Sequence, residues 1–101
     1  MKHIVKLDPR SDSFFNDVLE ADNQCVGYGF YIRKIFAQDW CRFIVEHYHP
    51  NQRDSSTYLK ILELIDTRPI GLLVALCYWY TPEQLCNAIL GEFGLEITNA
   101  D

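Results

Sequence analysis

Residues 70–80 read IGLLVALCYWY, eleven consecutive positions without a charged side chain. A helix that spans a bilayer needs about twenty apolar residues, so this shorter run favours a helix inside a folded domain. Its apolar residues lie nearly all round a helix, and we therefore expect it at the centre of a helical bundle. Thr67-Arg68-Pro69 interrupts the preceding pattern, and Pro69 suits the first turn of the new helix.

The segment that follows the run carries the clearest helix start in the chain. Thr81-Pro82-Glu83-Gln84 is a capping box with proline at the first helical position. The predicted buried face of this helix consists of Leu85, Cys86, Ile89, Leu90 and Phe93. Gly94 suits the left-handed residue that ends a helix, so we expect the helix to stop there and a short extended tail at 95–97.

Two further amphipathic segments lie closer to the N-terminus. Ser11 or Ser13 is suited to cap a helix whose apolar residues recur at helical spacing. These apolar residues are Phe14, Phe15, Val18 and Leu19. The spacing of one helix face recurs further along the chain, in Tyr58, Ile61, Leu62 and Ile65. Each segment predicts a helix that buries one side.

The segment 25–36 has two interpretations. Its apolar residues alternate at positions 26, 28, 30 and 32, which indicates a strand. Apolar residues from Ile32 onwards also fit one helical stripe. We predict a helix from about Phe30 to Tyr48 and keep a strand at 25–32 as the alternative.

The fold class that follows is mainly α. We predict a single domain, residues 1–101, built as a compact bundle of four to five short helices. The alternative is an α+β domain with one or two short N-terminal strands, in which residues 2–7 form a strand that pairs with the strand at 25–32.

The net charge is −5, and its distribution limits the classes of partner. Residues 1–50 carry six Lys/Arg against seven Asp/Glu, whereas residues 51–101 carry three against seven. Binding a phosphate backbone or an anionic membrane surface requires clustered cations, so we expect no direct nucleic-acid or membrane binding. An acidic surface suits a basic protein partner instead, including a nucleic-acid-binding protein.

The four cysteines do not form a recognisable site in the sequence. Zinc sites join four Cys, His or acidic ligands, often in closely spaced pairs, and no CxxC is present. Cys41 precedes His47 by six residues, which places the two on different faces of one helix. Residues 1–8 lack the uninterrupted apolar stretch of a signal peptide, so we expect cytoplasmic localisation and reduced, mostly buried thiols.

No motif with the spacing of a catalytic or phosphate-binding site stands out. Gly27-Tyr28-Gly29 lacks the remaining glycine, lysine and hydroxyl residue of a phosphate loop. We therefore predict no enzyme activity, no metal and no cofactor. A small metal protein or enzyme that uses Cys41, His47 and His49 is kept as the second alternative.

Aromatic residues make up 14% of the chain, more than one small core readily encloses. Consecutive helical positions lie about 100° apart, so Tyr78, Trp79 and Tyr80 cannot all point inward. Tyrosine and tryptophan are effective interface anchors. The surplus indicates a surface that another molecule covers.

The predicted function is that of a small acidic, non-enzymatic protein-binding domain. We expect an inhibitor or adaptor that docks an acidic and aromatic surface on a macromolecular partner, since small immunity proteins, antitoxins and phage inhibitors of bacterial defence share this size and acidity. The candidate contact residues are Tyr78, Trp79, Glu83, Glu92 and Glu96, with Tyr48 and Asp54 as secondary candidates. The first alternative is a homo-oligomeric structural or scaffold protein, such as a homodimer formed through residues 70–80.

Overall fold

The computed structural model describes residues 7–25, 27–49 and 56–99, with side chains described as far as Ile97. These residues form six helices in the order α1 (Phe14–Asn23), α2 (Tyr28–Ile35), α3 (Ala37–Tyr48), α4 (Ser56–Thr67), α5 (Ile70–Trp79) and α6 (Pro82–Asn99). The mainly α class is confirmed. The described part of the chain has one helix more than the upper bound of the prediction and no strand; the predicted strand at 2–7 lies outside it apart from Leu7.

The chain reverses sharply between α1 and α2. Cys25 (φ 58°) and Gly27 (φ 88°) both adopt the left-handed region, which ends the first helix and starts the second. The alternative strand at 25–32 is wrong from Gly27 onwards, because α2 begins at Tyr28. The alternation that suggested a strand does not match burial, since Arg33 is buried on α2 while Tyr28 is exposed.

The predicted helix over 30–48 is two helices separated at Phe36. The backbone of Phe36 (φ −112°, ψ 39°) leaves the helical region. Its N–H still donates to the carbonyl of Ile32, and its carbonyl accepts from the N–H of Trp40. One residue therefore caps both helices and turns the chain between them.

Helix α3 lies at the centre of the domain and packs against α2, α4, α5 and α6. Its buried residues are Ala37, Trp40, Cys41, Ile44 and Val45. The prediction that residues 70–80 occupy the centre is wrong. Helix α5 buries Leu73, Leu76 and Cys77 but leaves its other side in solvent. Part of this uncharged helix therefore remains at the surface.

The last helix begins as predicted and ends later. The N–H of Thr81 donates to Oε1 of Gln84 at 3.2 Å, which is one half of the predicted capping box. The expected end at Gly94 and the extended tail at 95–97 are wrong, because α6 continues to Asn99. An ion pair between Arg68 and Glu96 holds the extra turns against the α4–α5 connection. Among the described helices, none has the length and apolar character needed to cross a membrane.

A buried arginine joins four parts of the fold. Arg33 is only 7% exposed, and its Nη2 lies 2.8 Å from Oδ1 of Asp22 on α1. Its Nε donates to the carbonyl of Gly29 at 3.2 Å, and its Nη1 donates to the carbonyl of Tyr80 at 3.3 Å, just before α6. The guanidinium also lies 6.0 Å from the ring centroid of Trp40 on α3. These contacts satisfy the buried charge and fix how α1, α2 and α5 meet.

Gly29 makes room for this ion pair. A Cβ at this position would lie 3.0 Å from Oδ1 and 3.1 Å from Cβ of Asp22, closer than side chains normally approach. A Cβ at Gly91, in the interior of α6, would meet nothing within 4 Å. Gly91 is therefore a suitable control for Gly29: both glycines lie in helices, but only Gly29 has a side chain packed against it.

We expect Gly91→Ala to raise the free energy of unfolding by about 0.5–1 kcal/mol, the usual gain for alanine over glycine inside a helix. Gly29→Ala should lower it by about 1–2 kcal/mol, because Asp22 must move away from Arg33. Urea denaturation of the two variants and the parent measures both values. Equal stabilisation by the two substitutions would contradict the packing role of Gly29.

Candidate protein-docking site

Four rings form a continuous row on the outer surface of α2 and α5. The ring centroids of Phe30 and Tyr78 lie 5.2 Å apart, which joins the two helices. Tyr31 contacts Phe30 at 5.5 Å, and Trp79 contacts Tyr78 at 5.5 Å, both edge-on. Lys34 completes the set, with Nζ 5.4 Å from the centroid of Phe30 and 5.9 Å from that of Tyr78. We call these five residues the aromatic patch.

Most of the aromatic patch is open to solvent. Trp79 is 74% exposed, Tyr31 is 66% exposed and Tyr78 is 54% exposed, whereas Phe30 is half-buried beneath them. Edge-to-face ring pairs are favourable in themselves, and the ammonium of Lys34 adds a cation–π contact. These contacts favour one arrangement of the rings, and a preordered surface lowers the entropic cost of any binding to it.

The buried side of α2 fixes the position of the patch. Arg33 and Lys34 are neighbours in sequence, but Arg33 points into the core and Lys34 lies over the rings. The hydrogen bond from Arg33 to the carbonyl of Tyr80 ties α2 to the residue that follows α5. The core ion pair therefore determines the spacing between the two halves of the patch.

Apolar side chains continue beyond the patch along both helices. Ile70 and Leu72 are exposed at the start of α5, and Ile35 is exposed at the end of α2. Helix α5 has no charged residue at all. Soluble monomers rarely leave a large contiguous apolar surface exposed, and such surfaces mark interaction sites.

The structure brings together only some of the contact residues predicted from the sequence. Tyr78 and Trp79 both belong to the aromatic patch, and the prediction that the run 78–80 must reach the surface is confirmed. Glu83 is exposed in the first turn of α6, four residues after Trp79. The side chain of Tyr48 is half-buried near Glu83: burial raises the pKa of its hydroxyl, and the negative charge of Glu83 raises it further.

The remaining acidic candidates lie elsewhere. Glu92 follows Glu83 by nine residues on α6, which corresponds to about 13 Å and half a turn around the helix. Glu96 is engaged by Arg68, so its charge is largely neutralised. Asp54 lies outside the described residues. The carboxylates of α6 therefore do not form one face with the aromatic patch.

Sequence reasoning missed the α2 half of the site, namely Phe30, Tyr31 and Lys34. The segment 25–36 supported both a strand and a helix, so the direction of its rings was undetermined. One signal was present: in a helix, Lys34 lies four residues after Phe30 and three after Tyr31, so these side chains share one face.

Two of the residues of the Cys/His alternative, Cys41 and His47, have different surroundings in the described part of the chain. Cys41 is fully buried, and its sulfur lies 3.9 Å from the sulfur of Cys77. His47 is exposed and stacks on Phe43, with centroids 5.5 Å apart. No group of three or more His, Cys, Asp or Glu side chains that could hold a metal ion occurs among the described residues.

Two open surface grooves are also present. The larger has a volume of about 310 Å³ between α4 and α6, and it is lined by Lys60, Glu63, Leu64, Thr67, Glu96 and Ile97. The second, of about 220 Å³, is lined by Phe15, Asp39, Arg42, Phe43 and Glu46. Both are shallow, and most of their carboxylates are exposed, which is typical of solvated rims rather than of enclosed catalytic sites.

Comparison of the chain with protein-family models, with curated proteins and with solved structures found no significant match in any of the three. The function is therefore inferred from the physical chemistry of the surface.

The reactivity of the cysteines tests whether the start of α6, which carries Cys86, is buried as described. Burial, together with the nearby negative charge of Glu83, raises the pKa of the Cys86 thiol to about 11, whereas Cys25 is exposed. At about pH 8, iodoacetamide should modify Cys25 well before Cys86, because only the thiolate reacts. Peptide mass mapping measures both rates, and the urea-unfolded chain, in which both thiols react alike, is the control.

The same shift predicts the pH dependence of stability. The folded-state pKa of Cys86 lies above its ordinary value of 9.0, so folding favours the neutral thiol. Its contribution to stability is complete below pH 9 and is lost as the pH rises through about 11. Cys86→Ala should remove this part of the alkaline loss. An unchanged pH profile, or equal alkylation of Cys25 and Cys86 in the folded chain, would contradict the burial of this thiol.

Proposed function

We propose that this chain is a non-enzymatic protein-binding domain that docks through the aromatic patch and acts as an inhibitor or adaptor of its partner. The supporting observation is the row of four contacting rings that ends in the largely exposed Trp79. Tryptophan and tyrosine dominate the binding energy of protein interfaces when a partner buries them.

Charge supports a basic partner. Among the described residues, four of the six lysines and arginines are paired with carboxylates, namely Arg10, Arg33, Arg42 and Arg68. Lys34 is the charge that lies on the rings themselves, whereas the chain as a whole carries a net charge of −5 and the exposed carboxylate of Glu83 lies four residues after Trp79. The partner that fits has an apolar pocket for Trp79 surrounded by basic side chains.

A nucleic-acid-binding protein is one class with such a surface. Such a protein binds nucleic acid in a cationic groove, and the groove attracts an acidic domain over a long range. Burial of an apolar anchor residue then slows dissociation of the complex. A chain that occupies this groove would keep nucleic acid out of it and so inhibit the partner's nucleic-acid binding.

Trp79→Ala tests the anchor. Capture from the host with the parent chain, and with Trp79→Ala as the reference bait, identifies the protein that depends on the patch. Titration calorimetry with that purified protein should show affinity at least tenfold weaker for Trp79→Ala, because a buried tryptophan anchor contributes about 2 kcal/mol or more. Leu95, a comparably exposed apolar side chain on α6, supplies the matched control: Leu95→Ala should change affinity less than twofold.

The charge of the partner is tested by Glu83→Lys. This variant should slow association and weaken its dependence on salt, while leaving dissociation nearly unchanged. A Trp79→Ala variant that binds as tightly as Leu95→Ala, or a partner whose contact surface is acidic, would overturn the proposal.

Self-association is a second candidate, supported by the uncharged outer side of α5. Two chains that each carry −5 repel one another, and α5 is a surface where they can meet without opposing like charges. An isologous interface would pair Ile70 and Leu72 of each copy with α5 of the other.

Sedimentation velocity at micromolar concentration should then detect a dimer, and Ile70→Glu should dissociate it because it buries a charge at the interface. Ile70 lies outside the aromatic patch, so this variant separates self-association from binding of another protein. A monomer at every concentration tested would exclude the second candidate.

A further inference from the structure

Cys41 on α3 and Cys77 on α5 face one another inside the core, with their sulfurs 3.9 Å apart. The hydrogen bond between them lowers the pKa of the Cys77 thiol and raises that of Cys41. Burial opposes the change at Cys77, and the positive charge of Arg33 reinforces it. These directions make Cys77 the more readily ionised thiol of the pair. Neither Cys25 nor Cys86 has a comparable sulfur contact among the described residues.

We propose that Cys41 and Cys77 are a redox-active dithiol that a hydroperoxide oxidises to an intramolecular disulfide linking α3 to α5. A disulfide has an S–S length of about 2.05 Å, so the sulfurs must approach by roughly 2 Å. Rotation of the two side chains and a small shift of α5 would have to supply this movement. The pair combines two features of redox-sensing cysteines, a nearby cation and a second thiol in reach.

The reaction balances with the hydroperoxide as the oxidant. The Cys77 thiolate attacks the peroxide oxygen, the O–O bond breaks, and the leaving alkoxide or hydroxide takes up a proton to form an alcohol or water. Cys77 is then a sulfenic acid. The sulfur of Cys41 attacks it, the S–OH bond breaks, and the released hydroxide takes the Cys41 proton to form water. Two thiols lose two electrons, and the peroxide gains them.

Access to the buried pair depends on the end of α5. Cys77 lies two residues before Trp79, the last residue of the helix. Opening of this last turn, which must break the hydrogen bond from Arg33 to the carbonyl of Tyr80, would let a small peroxide enter, so we expect oxidation to be slow. Hydroperoxides the size of hydrogen peroxide are therefore the oxidants that fit, and bulky disulfides are excluded by size.

The disulfide would also act on the aromatic patch. Tyr78 and Trp79 directly follow Cys77, so a covalent link at Cys77 fixes the helical turn that carries half of the patch. We expect oxidation to change the affinity for a partner that depends on Trp79. This consequence rests on the proposed function, whereas the disulfide itself does not.

The test uses the full chain with Cys25→Ser, which removes the exposed thiol. Folded protein is treated with hydrogen peroxide, quenched with an alkylating agent and mapped by mass spectrometry without reduction. We expect a loss of two hydrogens per chain, one joined pair of peptides containing Cys41 and Cys77, and full reversal by dithiothreitol. Adding Cys86→Ser, a buried cysteine without a nearby sulfur, should leave this result unchanged.

Cys41→Ala in the same background should abolish the disulfide and leave a sulfenic acid on Cys77 that dimedone traps. If that variant does not fold, the peptide map of the Cys25→Ser chain still shows whether Cys41 and Cys77 form the disulfide. No joined peptides after prolonged treatment with excess peroxide, or a different cysteine pair joined, overturns the dithiol.

Partner affinity of the oxidised and reduced chains is a separate measurement. Equal affinity, with the disulfide present, would refute only the effect on the patch. Failure of Trp79→Ala to weaken binding would refute the proposed function while the mass map still reports on the dithiol.

Discussion

A guanidinium in the interior of a small domain needs compensation in every direction, and in this chain the compensation determines the fold. Arg33 is held by the carboxylate of Asp22 on α1, by the carbonyl of Gly29 one turn earlier, and by the carbonyl of Tyr80. A buried ion pair adds little net stability, since desolvation offsets its attraction. Loss of one partner is costly, however, because it leaves a buried charge unpaired. The network therefore specifies one arrangement of helices, and the bare backbone of Gly29 is part of that specification.

The same residue sets which side of α2 meets solvent. Residues two positions before and after Arg33 lie about 200° from it around the helix. These are Tyr31 and Ile35, which are 66% and 71% exposed. Lys34, one position on, lies over Phe30 and Tyr78. The buried ion pair of Arg33 thus sets the rotation of α2, and this rotation places Tyr31 and Lys34 in the aromatic patch at the surface.

The sequence predicted which segments form helices better than it predicted which side of each helix faces the core. The mainly α class, the start of α6 and the second half of the 30–48 helix are confirmed, because capping residues and helical periodicity act locally. The burial of Arg33 could not be foreseen, since hydrophobic patterning places arginine outside. The part of α6 past Gly94 carries the ion pair of Glu96 with Arg68, a contact between residues distant in sequence that local patterns do not reveal.

The site was predicted in part for the same reason. Tyr78 and Trp79 follow from three consecutive rings in a predicted helix, where local geometry alone keeps them from sharing one face. Phe30 and Tyr31 depend on the rotation of α2, which only the tertiary contacts of Arg33 define. The prediction that α5 lies at the centre of the bundle was wrong because an uncharged helix has two interpretations. It is either buried on all sides within its own chain or half covered by another molecule.

The docking role we propose corresponds to the second of these for α5. Burying a large apolar side chain is worth about 1.5–3 kcal/mol relative to leaving it in water. A small domain is stable by only about 5–15 kcal/mol, so several rings left exposed represent stability that the fold does not use. The ammonium of Lys34 lies over Phe30 and Tyr78 and partly offsets the exposure of these rings. The rings then remain in place to supply their burial energy to an interface, and this is the physical basis of the docking role we propose.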